Sequence, residues 1–251
     1  MVVGIDRFRE HFADHQAQYA LIGGVACDLI FAEAGLEFRA TKDFDVVLCV
    51  EVVDVAFAAA FRGFLEAGGY EAREQSDGHR EFYRFHKPSD KSYPHMMELF
   101  SRQPDGLKLP DEMNITKVAV DDDLLSLSAI LLDDDYYAAM QGSKTAIDGI
   151  SIVDHDLLIP FKAKAYLDLT RRKADGGKVD SRHIRKHRND VFQLAQLLVP
   201  DVHVDVSDGI AGDLRDFLND VRDDESLDPT SFGVEFTRDE GIALLEAVYR
   251  L

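Results

Sequence analysis

The 251-residue sequence predicts an α+β fold, in which a mixed sheet flanked by helices is followed by a helical C-terminal domain. In the first half, short runs rich in Val, Ile and Phe alternate with segments of helical periodicity, which is typical of strands between helices. The second half has long segments of helical periodicity with recognisable helix starts. We therefore expect an α/β domain at residues 1–120 and a mainly helical domain at residues 121–251.

The first domain is divided clearly by its glycines. Apolar residues at helical spacing, beginning at Ile5, predict a first helix over 5–16. A buried strand at 19–22 ends at Gly23-Gly24, and a helix follows from Val25 and stops near Gly35. The later elements are a Val-rich strand at 43–50, a helix at 54–67, and strands at 70–73, 81–86 and 95–101. Residues 115–120 are expected to form another strand or a strand-like loop.

The second domain is marked by helix starts. Three aspartates at 121–123 precede an apolar run and predict an acidic helix N-terminus. Pro160 suits the first turn of a helix over 157–173, and a further helix follows at 181–198. Thr237 and Glu240 have the spacing of a capping box before a last helix.

The composition limits the classes of function. A net charge of −19 argues against binding nucleic acid through the surface at large, although residues 171–188 contain eight Lys and Arg against two Asp. No apolar run is long enough to span a membrane, the N-terminus lacks the features of a signal peptide, and the two cysteines are expected to be reduced. These features predict a cytoplasmic protein with no membrane partner.

Asp43 and Asp45 are the first candidates for chemistry. Two residues apart on a strand, their side chains project from the same face, where they can share a divalent cation. Oxygen ligands suit Mg²⁺, or Mn²⁺ in its place. In the alternative interpretation, Lys42 and Arg39 neutralise the pair at a strand end.

Gly23-Gly24 adds a second element to this site. Glycine lets the backbone approach a ligand closely, and the start of a helix presents free N–H groups to an anion. An isolated Gly-Gly is more often a simple tight turn. Here an acidic strand follows it about twenty residues later, and a phosphate cradle beside a carboxylate pair is what phosphoryl transfer needs.

The order LIGGVACDL…RATKDFDVVL resembles the nucleotidyltransferase superfamily, in which a glycine turn precedes an Asp-x-Asp strand. More narrowly, it resembles the AbiEii-like nucleotidyltransferases, which include toxins of bacterial toxin–antitoxin systems. Arg39-x-Thr41-x-Asp43-x-Asp45 is similar to their first motif, IPFKAKAYLDL to their lysine-bearing helix, and IRKHRNDVFQLAQLL to the helix after it. The resemblance spans residues 19–198.

The resemblance implies roles for particular residues. Asp43, Asp45 and Glu98 would hold the metal, with Glu98 on a later strand as the third carboxylate or as the base for the attacking hydroxyl. Either Lys162 or Lys164 would stabilise phosphate charge. In the last helix His187 replaces the usual aspartate, and Asp190 matches the later acidic position. The nucleotide-binding residues would be Gly23, Gly24, Arg39, Thr41, Lys42 and Lys164.

The implied activity is Mg²⁺-dependent transfer of a nucleoside monophosphate from a nucleoside triphosphate (NTP) to an acceptor hydroxyl, with the helical domain closing over the site. The acceptor would be tRNA or protein, and a cognate antitoxin is an expected partner. The basic segment 171–188 would guide an RNA acceptor, or is simply a solvated surface. Two alternatives are a nucleotidyltransferase acting on a small molecule, such as an antibiotic, and an inactive nucleotide- or RNA-binding module of the same fold.

Overall fold

A computed structural model describes residues 2–49, 54–76, 81–100, 130–131 and 133–251 of the chain. Two compact units are formed, each from two segments of sequence. The first comprises Met1–Val120 and Lys144–Asp154, and the second Asp121–Ser143 and His155–Leu251. The expected strand at 115–120, and the helix start at 121–123, lie outside the described residues. A mixed sheet with flanking helices and a helical C-terminal region confirm the predicted fold class.

The first unit contains a seven-stranded mixed sheet in the order β3-β4-β5-β2-β1-β7-β6. β1 pairs antiparallel with β2 and parallel with β7, and β2 pairs parallel with β5. Its helices are α1 (Ile5–His11), α2 (Gly23–Glu33) and α3 (Val55–Gly68), and its strands are β1 (Tyr19–Ile22), β2 (Asp43–Leu48), β3 (Glu71–Ser76), β4 (Glu81–His86), β5 (Met96–Phe100), β6 (Lys144–Ile147) and β7 (Ile150–Val153).

One face of this sheet is covered by an aromatic cluster from α1 and α3. The ring of Phe44, a fully buried residue of β2, lies 5.6 Å from that of Phe8 on α1. Phe61 of α3 packs against Phe85 of β4 with ring centroids 5.7 Å apart. Because side chains alternate along a strand, the burial of Phe44 on this face directs its neighbours Asp43 and Asp45 to the opposite face.

The hairpin of β6 and β7 was not expected from the sequence. Its turn is Asp148-Gly149, and both residues have positive φ, 50° and 77°. An Asp-Gly pair between two short apolar runs is the usual signal for such a turn, so the sequence did contain it. Lys144 fixes the hairpin by donating hydrogen bonds to the Ala17 carbonyl at 2.9 Å and the Cys49 sulfur at 3.2 Å.

The second unit is helical in its described residues. It contains α4 (Asp134–Gly142), α5 (His155–Ala174), α6 (Ser181–Ala195), α7 (Asp208–Arg222), a 3₁₀ turn (Pro229–Phe232) and α8 (Arg238–Tyr249). Both hydrogen bonds of the predicted capping box are present between Thr237 and Glu240. Among the described residues, none of the helices is long and apolar enough to cross a membrane.

Pro160 does not occupy the first turn of its helix, as the sequence had suggested. α5 begins earlier, at His155, so the proline lies inside the helix and cannot donate to the carbonyl of Asp156 four residues before it. The hydroxyl of Tyr249 on α8 donates to that carbonyl instead, at 2.5 Å. A cross-helix bond thus satisfies the acceptor that the proline leaves unpaired.

Candidate functional site

The glycine pair lies where β1 passes into α2, against the strand that carries the aspartates. Gly23 has φ 67°, and a Cβ there would collide with the Asp45 carboxylate, lying 2.9 Å from its Cγ. A Cβ on Gly24 would lie 3.0 Å from the Cβ of Thr41. Only glycine lets the backbone come so close. We call this group of Gly23, Gly24, Thr41 and Asp45 the glycine cradle.

The start of α2 has the character of an anion site. Its N-cap residue, Ile22, has no side chain that accepts a hydrogen bond, and the first turn contains no acidic residue. The first N–H groups of a helix have no partner within the helix and form the positive end of its dipole. The Asp45 carboxylate lies beside this end, where negative charge is favourable.

Asp43 and Asp45 are half-buried and project from one face of β2, as predicted. Asp43 forms no hydrogen bond or ion pair with another described residue, and Lys42 forms no ion pair with either aspartate in the described part of the chain. Neutralisation of the aspartates by a direct ion pair with Lys42 is therefore not seen among the described residues, whereas neutralisation by Arg39 stays a prediction. Arg39 packs its guanidinium over the Phe38 ring, 5.0 Å from the centroid.

Glu98 lies on the same face, in register with Asp45 on the neighbouring parallel strand. Arg84 of β4, its register partner on the other side, donates to its Oε1 from Nε at 2.7 Å and from Nη2 at 2.5 Å. Both side chains are largely buried, so the arginine balances a charge that would otherwise be costly. Sequence reasoning missed Arg84. The role of Glu98 as a metal ligand stays a prediction.

The described residues do not include three or more His, Cys, Asp or Glu side chains grouped so as to hold a metal ion. The glycine cradle and the position of Asp43 fit a cation held by two carboxylates. The remaining ligands of a Mg²⁺ ion are commonly water and substrate phosphate, so two protein carboxylates suffice for such a site.

The predicted lysines and Asp190 belong to the second unit. Lys162 and Asp190 are both buried, and they form an ion pair of 3.0 Å that joins α5 to α6. Lys164 pairs instead with Asp213 of α7 at 2.8 Å, and the other oxygen of Asp213 accepts from the Tyr136 hydroxyl at 3.1 Å. Burial, reinforced by Asp213, raises the pKa of Tyr136 far above its ordinary value.

Carboxylates neutralise part of the basic segment 171–188. Arg171 pairs with Asp216, and Arg188 with Asp224. Arg182 hydrogen-bonds Asp180, the N-cap of α6, from both its backbone N–H and its guanidinium. The side-chain bond from Arg182 is the largest cause that lowers the pKa of Asp180 to about 2. The positive charge that this segment can offer to a ligand is therefore smaller than its number of basic residues suggests.

The fold and site define an α+β protein with a glycine turn opposed to an Asp-x-Asp strand. Neither protein-family models nor curated proteins gave a match to the sequence. Three solved structures are similar to the chain, each with an identity of 16% or less and a TM-score of 0.42 or less.

The first is an antigenic nucleotidyltransferase-like protein from Paracoccidioides brasiliensis, with 16% identity, a TM-score of 0.42 and 99% of both chains covered. The others are the Cid1 poly(U) polymerase, in an H336N mutant bound to MgATP, and a cytoplasmic RNA terminal U-transferase. Each has 12% identity and a TM-score of 0.31. The matches cover 81% and 87% of this chain, and 55% and 65% of those chains.

Proposed function

We propose that the protein is a Mg²⁺-dependent nucleotidyltransferase that transfers a nucleoside monophosphate from an NTP to an acceptor hydroxyl. One observation carries the proposal: the backbone at Gly23 approaches the Asp45 carboxylate so closely that no side chain fits between them. An anion-binding helix start and a carboxylate pair are thereby held side by side. A nucleotide with its bound metal ion needs both the helix start and the carboxylates. Its phosphates accept hydrogen bonds from N–H groups, and the metal ion binds oxygen ligands.

In this proposal the residues of the first unit have distinct tasks. Asp43 and Asp45 would hold the metal ion, which neutralises phosphate charge when bound. The N–H groups at the start of α2 and the Thr41 hydroxyl bind and orient the phosphates. The acceptor hydroxyl gives its proton to Glu98 or to water, and its oxygen attacks the α-phosphorus. The bond from that phosphorus to the bridging oxygen of the β-phosphate breaks, and pyrophosphate leaves with that oxygen. Glu98 is proposed as the third carboxylate, either as a metal ligand or as the base for the attacking hydroxyl, and Arg84 pairs with it.

The finer assignment follows the resemblance of the motifs to AbiEii-like enzymes. We propose an acceptor that is tRNA or protein, and regulation by a cognate antitoxin. Lys162 or Lys164 is proposed to stabilise phosphate charge, and within the second unit Lys162 pairs with Asp190 and Lys164 with Asp213. A small cationic acceptor, such as an aminoglycoside, is an alternative that the acidic net charge of −19 favours.

A second function, nucleotide binding without catalysis, has a specific observation in its favour. Glu98 is engaged by Arg84, and the described residues contain no group of three potential metal ligands. A protein with only the two aspartates for the metal can still bind an NTP with Mg²⁺ at the glycine cradle. It would then show saturable nucleotide binding and transfer nothing.

The test combines binding with transfer. Calorimetric titration with each NTP and Mg²⁺ measures binding, and incubation of the protein with α-labelled NTP and total RNA or protein extract measures transfer. The combined Asp43→Asn and Asp45→Asn variant should lose label transfer while keeping its circular dichroism spectrum. Asp14→Asn, an exposed aspartate of the same unit, is the control. Transfer by the double variant at the rate of the control would disprove the assignment, and binding without transfer by the unaltered protein would favour the second function.

A further inference from the structure

A cavity of about 230 Å³ opens in the first unit near the aspartate strand. Its apolar wall is formed by Val3 and Pro88, and its polar wall by Thr41, Lys42, Lys91, Tyr93 and His95. Two lysines and a histidine line it, and none of the described residues that line it is a carboxylate. In a chain of net charge −19 this is a local reversal of sign, and it selects for anions. We call this cavity the cationic pocket.

The cationic pocket adjoins the candidate site through the strands. Lys42 directly precedes Asp43 at the start of β2, and His95 directly precedes Met96 at the start of β5. These strands are parallel, and Asp43 is in register with Met96. Parallel strands place their starts at the same edge of a sheet, so the lysine and the histidine meet at the edge where Asp43 lies. Thr41 is shared, since it contacts Gly24 in the glycine cradle and also lines the pocket.

The segment that carries Lys91 is held in place by several contacts. The Tyr93 ring packs against Phe64 of α3 with centroids 4.9 Å apart. The Tyr70 hydroxyl donates to the Pro94 carbonyl at 2.7 Å. Lys91 itself donates to the Pro88 carbonyl at 2.9 Å, which leaves two N–H groups of its ammonium for a ligand. The pocket is therefore preformed.

We propose that the cationic pocket binds a phosphoryl group of the substrate that is not the one reacting at the aspartates. Its volume is below the roughly 300–1,000 Å³ of pockets that enclose a whole small molecule, so it suits a phosphate with part of its sugar. Either the outer phosphates of the NTP or a phosphodiester of an RNA acceptor would supply this chemistry. The inference rests on the proposed function for the identity of the substrate.

The experiment compares Lys91→Gln with Lys87→Gln. Lys87 is an exposed lysine four residues earlier that does not line the pocket and pairs with Glu71 at 3.2 Å. The probes are a fluorescent single-stranded RNA oligonucleotide, inorganic pyrophosphate, and a non-hydrolysable NTP analogue with Mg²⁺. Urea midpoints of both variants that equal the midpoint of the unaltered protein establish that the fold is kept.

If the ligand is an acceptor strand, Lys91→Gln should weaken RNA binding several-fold and reduce the slope of log affinity against log salt by about 1, with the analogue unaffected. If the ligand is the donor, affinity for pyrophosphate and the analogue falls instead. Either result supports the pocket. Identical affinities for Lys91→Gln and Lys87→Gln, or no binding of any probe by the unaltered protein, would overturn it. The unaltered protein could also bind RNA in a way that depends on Lys91 and yet bind no NTP. That result would support the cationic pocket as a phosphate site and would disprove the proposed function.

Discussion

Replacing Gly23 by alanine tests the feature on which the candidate site depends. Two costs are expected. A residue with a side chain in the left-handed region loses roughly 1–2 kcal/mol relative to glycine. The new methyl group would also overlap the Asp45 carboxylate, and such overpacking costs about 1–3 kcal/mol. The free energy of unfolding of the first unit should therefore fall by about 2–5 kcal/mol.

Gly35 provides a matched control just beyond the other end of the same helix. Its φ of 73° is close to the 67° of Gly23, but a Cβ at Gly35 would have no atom within 4 Å. Gly35→Ala should therefore show the backbone cost alone. The difference between the two variants measures the collision with Asp45, at about 1–3 kcal/mol.

The measurement is urea unfolding followed by far-ultraviolet circular dichroism, because the chain contains no tryptophan to report by fluorescence. Hydrogen exchange of the α2 amides assigns the loss to this helix. Asp45→Ala removes the carboxylate, whose atoms lie nearest the new methyl group, so Gly23→Ala should cost less in that background than alone. Equal losses for Gly23→Ala and Gly35→Ala, or strict additivity with Asp45→Ala, would refute the close approach that we infer.

Three further predictions concern charged residues. Lys162→Met or Asp190→Leu alone should lower the free energy of unfolding in urea by about 3–5 kcal/mol, because each leaves a buried charge unpaired. The double variant should recover most of that loss, and a double variant as unstable as either single one would contradict this. Arg84→Met should destabilise the first unit by about 3 kcal/mol, because the largely buried charge of Glu98 then has no pairing with Arg84. Arg84→Lys keeps a positive charge and should retain more of the stability than Arg84→Met. Asp180 has a pKa lowered from 3.8 to about 2 by its arginine neighbour, so its stabilisation of α6 is complete above pH 3.8 and is lost as the pH falls towards 2. Helix content of Asp180→Asn should consequently differ from that of the unaltered protein at pH 5 and approach it at pH 2; a constant difference would argue against the ion pair.

Local sequence signals predicted much of the first unit. The strand, the glycine pair, the following helix and the acidic strand were all identified, because each depends on residues within a few positions of one another. The predicted start of α2 was too late, since the glycines belong to the helix itself. The hairpin at Asp148-Gly149 was overlooked although its turn signal is local.

Side-chain partners were harder to predict, because they depend on register and packing. The pairing of Glu98 with Arg84 follows from the alignment of β4 with β5, which no spacing along the chain defines. Similarly, the sequence did not distinguish Lys162 from Lys164. Their different environments arise because one reaches Asp190 on α6 and the other reaches Asp213 on α7.

The parallel pairing of β1 with β7 has a consequence for synthesis of the protein. Leu21 pairs with Ile152, which lies on the last strand of the sheet to be translated. Until β7 leaves the ribosome, β1 has an open edge with unpaired N–H and C=O groups, and such edges attract other chains. Since β1 leads directly into Gly23, the nascent chain would have to shield the strand that precedes the glycine cradle, and a fragment of residues 1–120 would keep that edge permanently open.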